Sequence, residues 1–210
     1  MEQEKRYKRI ARLLLGAVVL TTVFLAYQMS QIGFDYDFDR FFPEDDPETE
    51  FFYQHRDKYK SENDFVMFSL ENSDGIFDHE FLLEVKRFQD SLESLVHVTE
   101  VQSILSLQEP IKEPLFGSFY ERPFLRYDSP EYYAKDSTRI FNSPELVNSF
   151  VTTDGKALAI ILEHEEFLSK EKCDELAVAV DQAVTGFKFD HIYKTGRAIA
   201  QGYFIDRLQF

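Results

Sequence analysis

The chain begins with a basic segment that is followed by a long apolar stretch. Residues 1–12 contain five Lys or Arg side chains, and residues 13–34 contain no charged side chain. A helix rises about 1.5 Å per residue, so about 20 apolar residues cross the hydrocarbon layer of a bilayer, which is roughly 30 Å thick. Basic side chains beside a span favour the cytoplasmic side. The pattern therefore predicts a cytoplasmic tail over 1–12 and a transmembrane helix over 13–34.

A cleaved signal peptide also has a basic start and an apolar core. Its core is generally shorter, and a cleavage site with a small-x-small pattern follows it. The best local candidate is Ser30, which has Gln28 two residues before it instead of a small residue. We therefore expect the apolar stretch to remain as an anchor. In either case we expect residues 35–196 to form an extracytoplasmic domain.

A first strand–helix–strand pattern lies in the N-terminal half of this region. Residues 64–71 form a short apolar run of strand length. Asp78 is a suitable N-cap for a helix through Leu95, because apolar side chains recur there at spacings of four and three. Residues 96–107 then predict a second strand, with an irregularity near Val101.

A second pattern of the same kind follows further along the chain. Residues 150–153 and 156–163 flank an Asp-Gly turn and predict a strand pair. Ser169 can cap a helix through Thr185, which has its own apolar stripe. Phe187, Phe189 and His191 alternate with polar residues, which predicts a last strand that Gly196 ends.

Residues 108–149 separate the two patterns and differ from both. Five prolines and many aromatic residues interrupt this segment, which predicts loops and short helices. Two successive strand–helix–strand units form the split βαβ (ferredoxin-like) plan, with both helices on one face of a four-stranded sheet. We therefore predict an α+β fold, in which an N-terminal transmembrane helix precedes a ferredoxin-like extracytoplasmic domain with an inserted loop and helix segment.

The charge distribution excludes nucleic acid as a partner. The formal net charge is −15, and residues 1–12 carry five basic and two acidic side chains, which leaves −18 for the rest. An acidic domain repels the phosphates of DNA and RNA. Cys173 is the only cysteine, so no intramolecular disulfide can form and the domain depends on its apolar core.

Acidic and aromatic residues alternate after the apolar stretch, where the pattern Asp-x-Asp-x-Asp begins at Asp35. This pattern is similar to the start of a calcium-binding loop. The sixth position, where such a loop needs Gly for its turn, is Arg40, and Pro43 stands at the ninth. The better interpretation is an extended connector followed by a short helix over 48–60.

The sequence contains no recognisable set of catalytic residues. The five His are scattered, and no second His follows His164 at the spacing of a zinc-protease helix. His97 and His191 fall in predicted strands, and Cys173 falls on the apolar side of a predicted helix, where a thiol is inert. We therefore predict no catalytic residue, no cofactor, no metal site and no enzymatic activity.

The aromatic residues of the insert form the one candidate binding surface. These residues are Phe116, Phe119, Tyr120, Phe124 and Tyr127. They either pack the insert onto the domain or bind an apolar substrate or a partner. The second alternative is considered because an exposed aromatic patch of this size usually binds a partner.

The order of these segments resembles one family of membrane proteins. After the basic tail and the span come FDRFFPEDDP, then DFVMFSLEN with GIF behind it, and then HVTEVQSILSL. This order resembles the N-terminal part of a resistance-nodulation-division (RND) transporter. The most similar branch contains predicted exporters related to the large mycobacterial membrane proteins, with a sterol-sensing-like membrane domain. The family-like residues after the first span are Phe41, Phe42, Pro43, Asp46 and Pro47.

The resemblance implies a proton-driven exporter in the bacterial inner membrane, with a periplasmic porter domain between its first two spans. Its substrates would be lipidic, hydrophobic or amphipathic. Its partners would be the lipid bilayer, the remaining transmembrane domain of the same protein and further copies in an oligomer. Thr195-Gly196 and the helical pattern over 197–210 match the start of a helix that leads into the second span. We therefore expect the chain to be a truncated piece of a longer protein.

Two other classes of function are alternatives to the exporter. A single-span anchored module for binding or sensing would have the same anchor and the same α+β domain. An accessory subunit would dock onto a membrane complex through its aromatic insert. The helical pattern over 197–210 has no cap and no polar tail, which favours the exporter.

Overall fold

The described residues of the first of two compact units form one long helix. The computed structural model describes residues 2–29, 43, 46–59, 64–113, 117–166 and 168–208. The units are Met1–Asp39 and Arg40–Phe210. Helix α1 (Glu2–Met29) forms the described part of the first unit. It confirms the predicted helix over 13–29, whereas residues 30–34 of the predicted span lie outside the described residues.

The second unit combines α-helices with two antiparallel sheets. In chain order its elements are α2 (Pro47–Tyr59), β1 (Phe65–Glu71), α3 (His79–Glu93), β2 (Val98–Ser103), β3 (Gln108–Lys112), β4 (Phe119–Pro123), α4 (Tyr133–Phe141), β5 (Ala157–His164), α5 (Lys170–Thr185), β6 (His191–Gly196) and α6 (Arg197–Leu208). The mixed α+β class is therefore as predicted. Helix α2 also confirms the short helix that the sequence predicts after the acidic and aromatic segment.

The larger sheet interleaves the two strand–helix–strand units. Its strand order is β2-β5-β1-β6, and every neighbouring pair is antiparallel. Strand β5, from the second strand–helix–strand unit, lies between β1 and β2 of the first strand–helix–strand unit. Strand β1 in turn lies between β5 and β6 of the second. Neither unit can therefore form its part of the sheet without the other.

The core lies between one face of this sheet and the helices. Val66, Phe68 and Leu70 alternate along β1 and are fully buried. The ring of Phe88 on α3 meets that of Phe68 edge to face, with centroids 5.4 Å apart and an interplanar angle of 89°. Burial of a side chain of this size contributes about 1.5–3 kcal/mol. The alternation along β1 thus fixes which face of the sheet the helices cover.

Both predicted N-caps are confirmed. The Asp78 carboxylate accepts a hydrogen bond from the N–H of Phe81 at 2.8 Å, which starts α3. The Ser169 hydroxyl accepts one from the N–H of Lys172 at 3.4 Å, which starts α5. Such caps satisfy backbone donors that have no partner within the helix and are worth about 1 kcal/mol each.

Two of the predicted strands are wrong in their extent. His97 precedes β2 instead of lying in it, because its backbone adopts a left-handed conformation with φ 65°. The predicted irregularity occurs early in β2, between Val98 and Glu100. Phe187 and Phe189 precede β6, because both rings pack against α3, where Phe88 lies 5.1 Å and 5.9 Å from them.

The predicted strand over 150–153 is reduced to isolated bridges, in which Val151 pairs with Leu158 in antiparallel and with Val147 in parallel orientation. Its predicted partner is nevertheless right, since the N–H of Thr152 donates to the carbonyl oxygen of Ala157 at 3.0 Å. The insert 108–149 contains α4 as expected, but also a two-stranded sheet of β3 and β4. Its prolines are tolerated because a two-stranded sheet has two outer edges, where a missing N–H costs no ladder hydrogen bond. Pro110 and Pro123 both lie within these strands.

The insert and the chain connections lie at opposite ends of the larger sheet. Val66 pairs with Gly196, so β1 begins beside the point where β6 ends. Glu71 pairs with Ala157, so the chain returns from the insert at the other end. The chain therefore enters β1 and leaves β6 at the same end of the sheet, and the insert lies at the other end.

Gly196 is required by the close approach of two backbones. Its φ is +154°, and an added Cβ atom would lie 2.4 Å from the carbonyl oxygen of Phe65 and 2.9 Å from Cα of Val66. Both atoms belong to the backbone and cannot rotate away. Gly117 also has a positive φ, +69°, but an added Cβ atom there meets open space.

We expect Gly196→Ala to lower the free energy of unfolding by about 3 kcal/mol or more, because the added methyl group overlaps β1. Gly117→Ala introduces backbone strain alone and should cost about 1 kcal/mol. Urea unfolding of the whole chain in a non-ionic detergent, followed by circular dichroism, measures both values. Equal losses in the two variants would contradict the steric explanation.

Candidate functional site

Helix α1 is long enough and apolar enough to cross a membrane. The segment Arg6–Met29 has 24 residues and contains an 18-residue window with a mean hydropathy of 2.0, none of which is buried. An N-terminal signal sequence has the same properties. Helix α1 is therefore a candidate membrane anchor.

Two polar side chains of α1 are satisfied within the helix. The hydroxyl of Thr21 donates to the carbonyl oxygen of Ala17, and that of Thr22 donates to the carbonyl oxygen of Val18, each at 2.9 Å. In an apolar solvent an unpaired hydroxyl costs several kcal/mol. These two bonds make the threonines compatible with a hydrocarbon surrounding.

The family-like segment is only partly described. Phe41 and Phe42 lie outside the described residues, and Pro43 is exposed. The Asp46 carboxylate accepts a hydrogen bond from the N–H of Glu48 at 3.3 Å, and Pro47 is the first residue of α2. The described end of this segment therefore starts a helix, since Asp before a helix and Pro at its first position are favoured there.

The candidate aromatic surface separates into two groups. Phe124 and Tyr127 pack against the core of the domain, as the structural alternative requires. Phe119 is 68% exposed and Tyr120 is 52% exposed, and both lie on β4. Phe116 lies outside the described residues. Of the predicted surface, Phe119 and Tyr120 are thus the described residues that a partner or substrate could reach.

A chain of ion pairs fastens the hairpin of β3 and β4 to α4. Glu109 Oε1 accepts a hydrogen bond from Arg122 Nε across the hairpin at 2.8 Å. Arg139 Nη1 on α4 lies 2.9 Å from the same oxygen. Arg139 Nη2 also donates to the carbonyl oxygen of Phe124 at 2.6 Å. The base of the hairpin is therefore held, although its strands join no larger sheet.

Asp136 is the buried centre of this network. Its side chain has no exposed surface, and its oxygens accept hydrogen bonds from the Arg126 backbone N–H at 3.0 Å and from the Arg126 guanidinium. Arg139 Nη2 lies 3.0 Å from Asp136 Oδ1. Burial alone would raise the pKa of Asp136. The hydrogen bonds from Arg126 and the charges of both arginines outweigh it and hold this pKa below its ordinary value.

A cleft of about 550 Å³ opens between the start of α3 and the connection that precedes β6. Phe81 and Phe189 line it with rings 5.7 Å apart at 84°, beside acidic side chains that include Glu80 and Asp190. Ser73 holds Asp190 through its backbone N–H at 2.8 Å and through its hydroxyl. The cleft thus has an aromatic wall and a charged rim, to which Arg87 and Lys188 also contribute.

Three of the described histidines lie in or next to strands of the larger sheet. His97 lies between two carboxylates, with Nδ1 3.2 Å from Glu165 Oε2 and Nε2 3.3 Å from Glu175 Oε2. His164 is buried at the end of β5, and His191 is the first residue of β6. In the described part of the chain, no group of three His, Cys, Asp or Glu side chains could hold a metal ion.

Cys173 lies buried on α5, as its place on the apolar stripe predicts. Burial raises the pKa of its thiol, and the carboxylates of Asp174 and Asp64 add to this effect. The thiol form is therefore favoured over the reactive thiolate.

A partly buried ion pair, which no local sequence pattern predicts, lies at the end of the sheet where the chain enters and leaves. Arg197 Nη1 lies 3.6 Å from Asp64 Oδ1. Asp64 directly precedes β1, and Arg197 is the first residue of α6. Neither residue belongs to a local motif, so only the pairing of β1 with β6 could have indicated the contact.

No protein-family model matches the chain, and no curated protein sequence matches it. Function is therefore inferred from the sequence pattern and from the geometry of the chain itself.

We expect Asp136→Asn to cost about 3 kcal/mol of stability, because the partly exposed Arg126 and Arg139 lose the buried carboxylate that pairs with them. The matched control is Asp128→Asn, which neutralises an exposed carboxylate in the same segment and should change stability by less than about 0.5 kcal/mol. Urea unfolding of the whole chain at pH 7 measures both variants.

The pH dependence of stability provides a second measurement of the interaction between Asp136 and its two arginines. The pKa of Asp136 is lower in the folded chain, so its contribution is complete above the unfolded value, near pH 4, and is lost as the pH falls through the folded value. Between pH 7 and pH 3 the native chain should therefore lose more stability than Asp136→Asn. Equal losses would show that Asp136 does not carry this effect.

Proposed function

We propose that residues 1–210 form the first span and the first periplasmic domain of a proton-driven exporter of the RND type. The observation that supports this most strongly is the strand order β2-β5-β1-β6 with antiparallel neighbours. This order matches the split βαβ (ferredoxin-like) plan that the family resemblance implies for a porter domain. It also follows an apolar N-terminal helix, as a first span would require.

The placement of the chain connections adds support. A domain between two spans must receive and return the chain at the end that faces the membrane. Val66, at the start of β1, lies opposite Gly196, at the end of β6, and α6 begins immediately afterwards. In the proposed exporter α6 leads towards the second span, and the insert at the other end of the sheet faces the periplasm.

The proposed substrates are lipidic, hydrophobic or amphipathic molecules. Phe119 and Tyr120 are exposed on the hairpin, and Phe81 and Phe189 line the cleft. Aromatic side chains of this kind bury much apolar area with little loss of conformational entropy. In the proposed mechanism these surfaces border a substrate route, and rocking of the domain changes access to it. Proton-relay residues would belong to spans outside residues 1–210.

A second candidate is a single-span anchored domain that binds or senses a small molecule. The observation that favours it is the cleft of about 550 Å³, whose volume lies within the range of roughly 300–1,000 Å³ that is usual for small-molecule sites. Such a module would need neither a second span nor a proton relay.

The mass of the native polypeptide separates the two candidates. We expect the exporter to have a mass far above the 24.7 kDa of residues 1–210, with a second apolar span soon after residue 210 in its coding sequence. Intact-mass spectrometry of the protein purified from its native membrane measures this. A native chain of about the mass of residues 1–210 would contradict the exporter and favour the anchored module.

We expect Ser118→Cys to react with a membrane-impermeant maleimide on intact cells whose outer membrane has been opened. Gln3→Cys should react only after the inner membrane is permeabilised, because the basic tail is proposed to be cytoplasmic. The native chain is the control, since its single thiol, Cys173, is buried and reacts little. Labelling of Gln3→Cys from outside, or loss of residues 1–29 from the mature chain, would contradict the proposed anchor.

A further inference from the structure

The Asp64–Arg197 pair occupies an unusual place for two charged groups. The side chain of Asp64 is only 3% exposed, and that of Arg197 is 30% exposed. The backbone carbonyl of Asp64 also accepts a hydrogen bond from the N–H of His164 at 3.1 Å, which continues the pairing of β1 with β5. Asp64 is thus fixed to the sheet, while Arg197 belongs to a helix.

The position of Arg197 in α6 needs an explanation. A cation at the first position of a helix is unfavourable, because the amino end of a helix carries a partial positive charge. A carboxylate near that end is favourable for the same reason. Asp64 supplies this carboxylate, so the pair stabilises the start of α6 although Arg197 alone would not.

Other contacts also hold the start of α6 against the start of β1, at what we call the junction (residues 64–66 and 196–199). The Gly196 backbone lies against Phe65 and Val66 so closely that an added Cβ atom would overlap them. Ala198 is buried, and Ile199 packs against the core. A helix of 12 residues such as α6 is marginal in isolation and depends on such tertiary contacts.

We propose that the Asp64–Arg197 pair fastens α6 to the entrance of β1, so that the segment leaving the domain and the strand entering it move together. A displacement of α6 is then transmitted to β1 and, through the pairing of β1 with β5, to the rest of the sheet. This coupling holds for an exporter and for an anchored module alike, and so does not depend on which of them the chain is.

Hydrogen–deuterium exchange of the whole chain in a non-ionic detergent tests this coupling. Arg197→Gln and Asp64→Asn should each accelerate exchange of the backbone amides in 201–208 at least tenfold, while the amides of α3 stay within twofold. The double variant should exchange no more than twofold faster than either single variant, because both changes remove the same interaction.

Lys194→Gln is the matched control, because Lys194 forms an ion pair from β6 to Asp181 on α5 without taking part in the junction. It should leave the amides of 201–208 within twofold of the native chain. If Asp64→Asn does not fold, Arg197→Gln decides alone, since its side chain is partly exposed. Unchanged exchange over 201–208, or equal acceleration throughout α3, would overturn the proposal.

Discussion

Strand β1 is hydrogen-bonded on both sides to strands from far along the chain, β5 on one edge and β6 on the other. The rest of the compact part Arg40–Phe210 depends on this double pairing. It places Val66, Phe68 and Leu70 beneath the helices and sets Gly196 against the start of β1. The core, the chain connections and the position of the insert all follow from one strand having two distant neighbours.

The insert is held by apolar packing and by an ion cluster rather than by the larger sheet, since Leu125 and Ile140 are buried in the core. Its hairpin joins no strand of the larger sheet, and a two-stranded hairpin alone is marginally stable. Asp136 is buried between the partly exposed Arg126 and Arg139, and this cluster ties the base of the hairpin to α4. The ion cluster fixes the position of the base of the hairpin. The outer half of the hairpin can therefore expose Phe119 and Tyr120.

Local sequence patterns predicted the parts of the fold that single elements decide. Asp78 and Ser169 were identified as helix caps because a cap needs only its own neighbours. Patterns failed where a distant partner decides: Phe187 and Phe189 alternate like strand residues but pack on α3. For the same reason the buried pairing of Asp64 could not be predicted, since its partner lies at the other end of the domain's sequence.

The distance along the chain between β1 and its neighbours has a consequence for biogenesis. Domains dominated by contacts between remote residues fold slowly, because long loops must close before the contacts form. Strand β1 therefore emerges from synthesis with both edges unpaired and stays so until β5 and β6 have followed. Unpaired edges of an apolar strand invite aggregation. During that interval the chain has to rely on its high negative charge, and on any chaperone in its compartment, to keep neighbouring molecules apart.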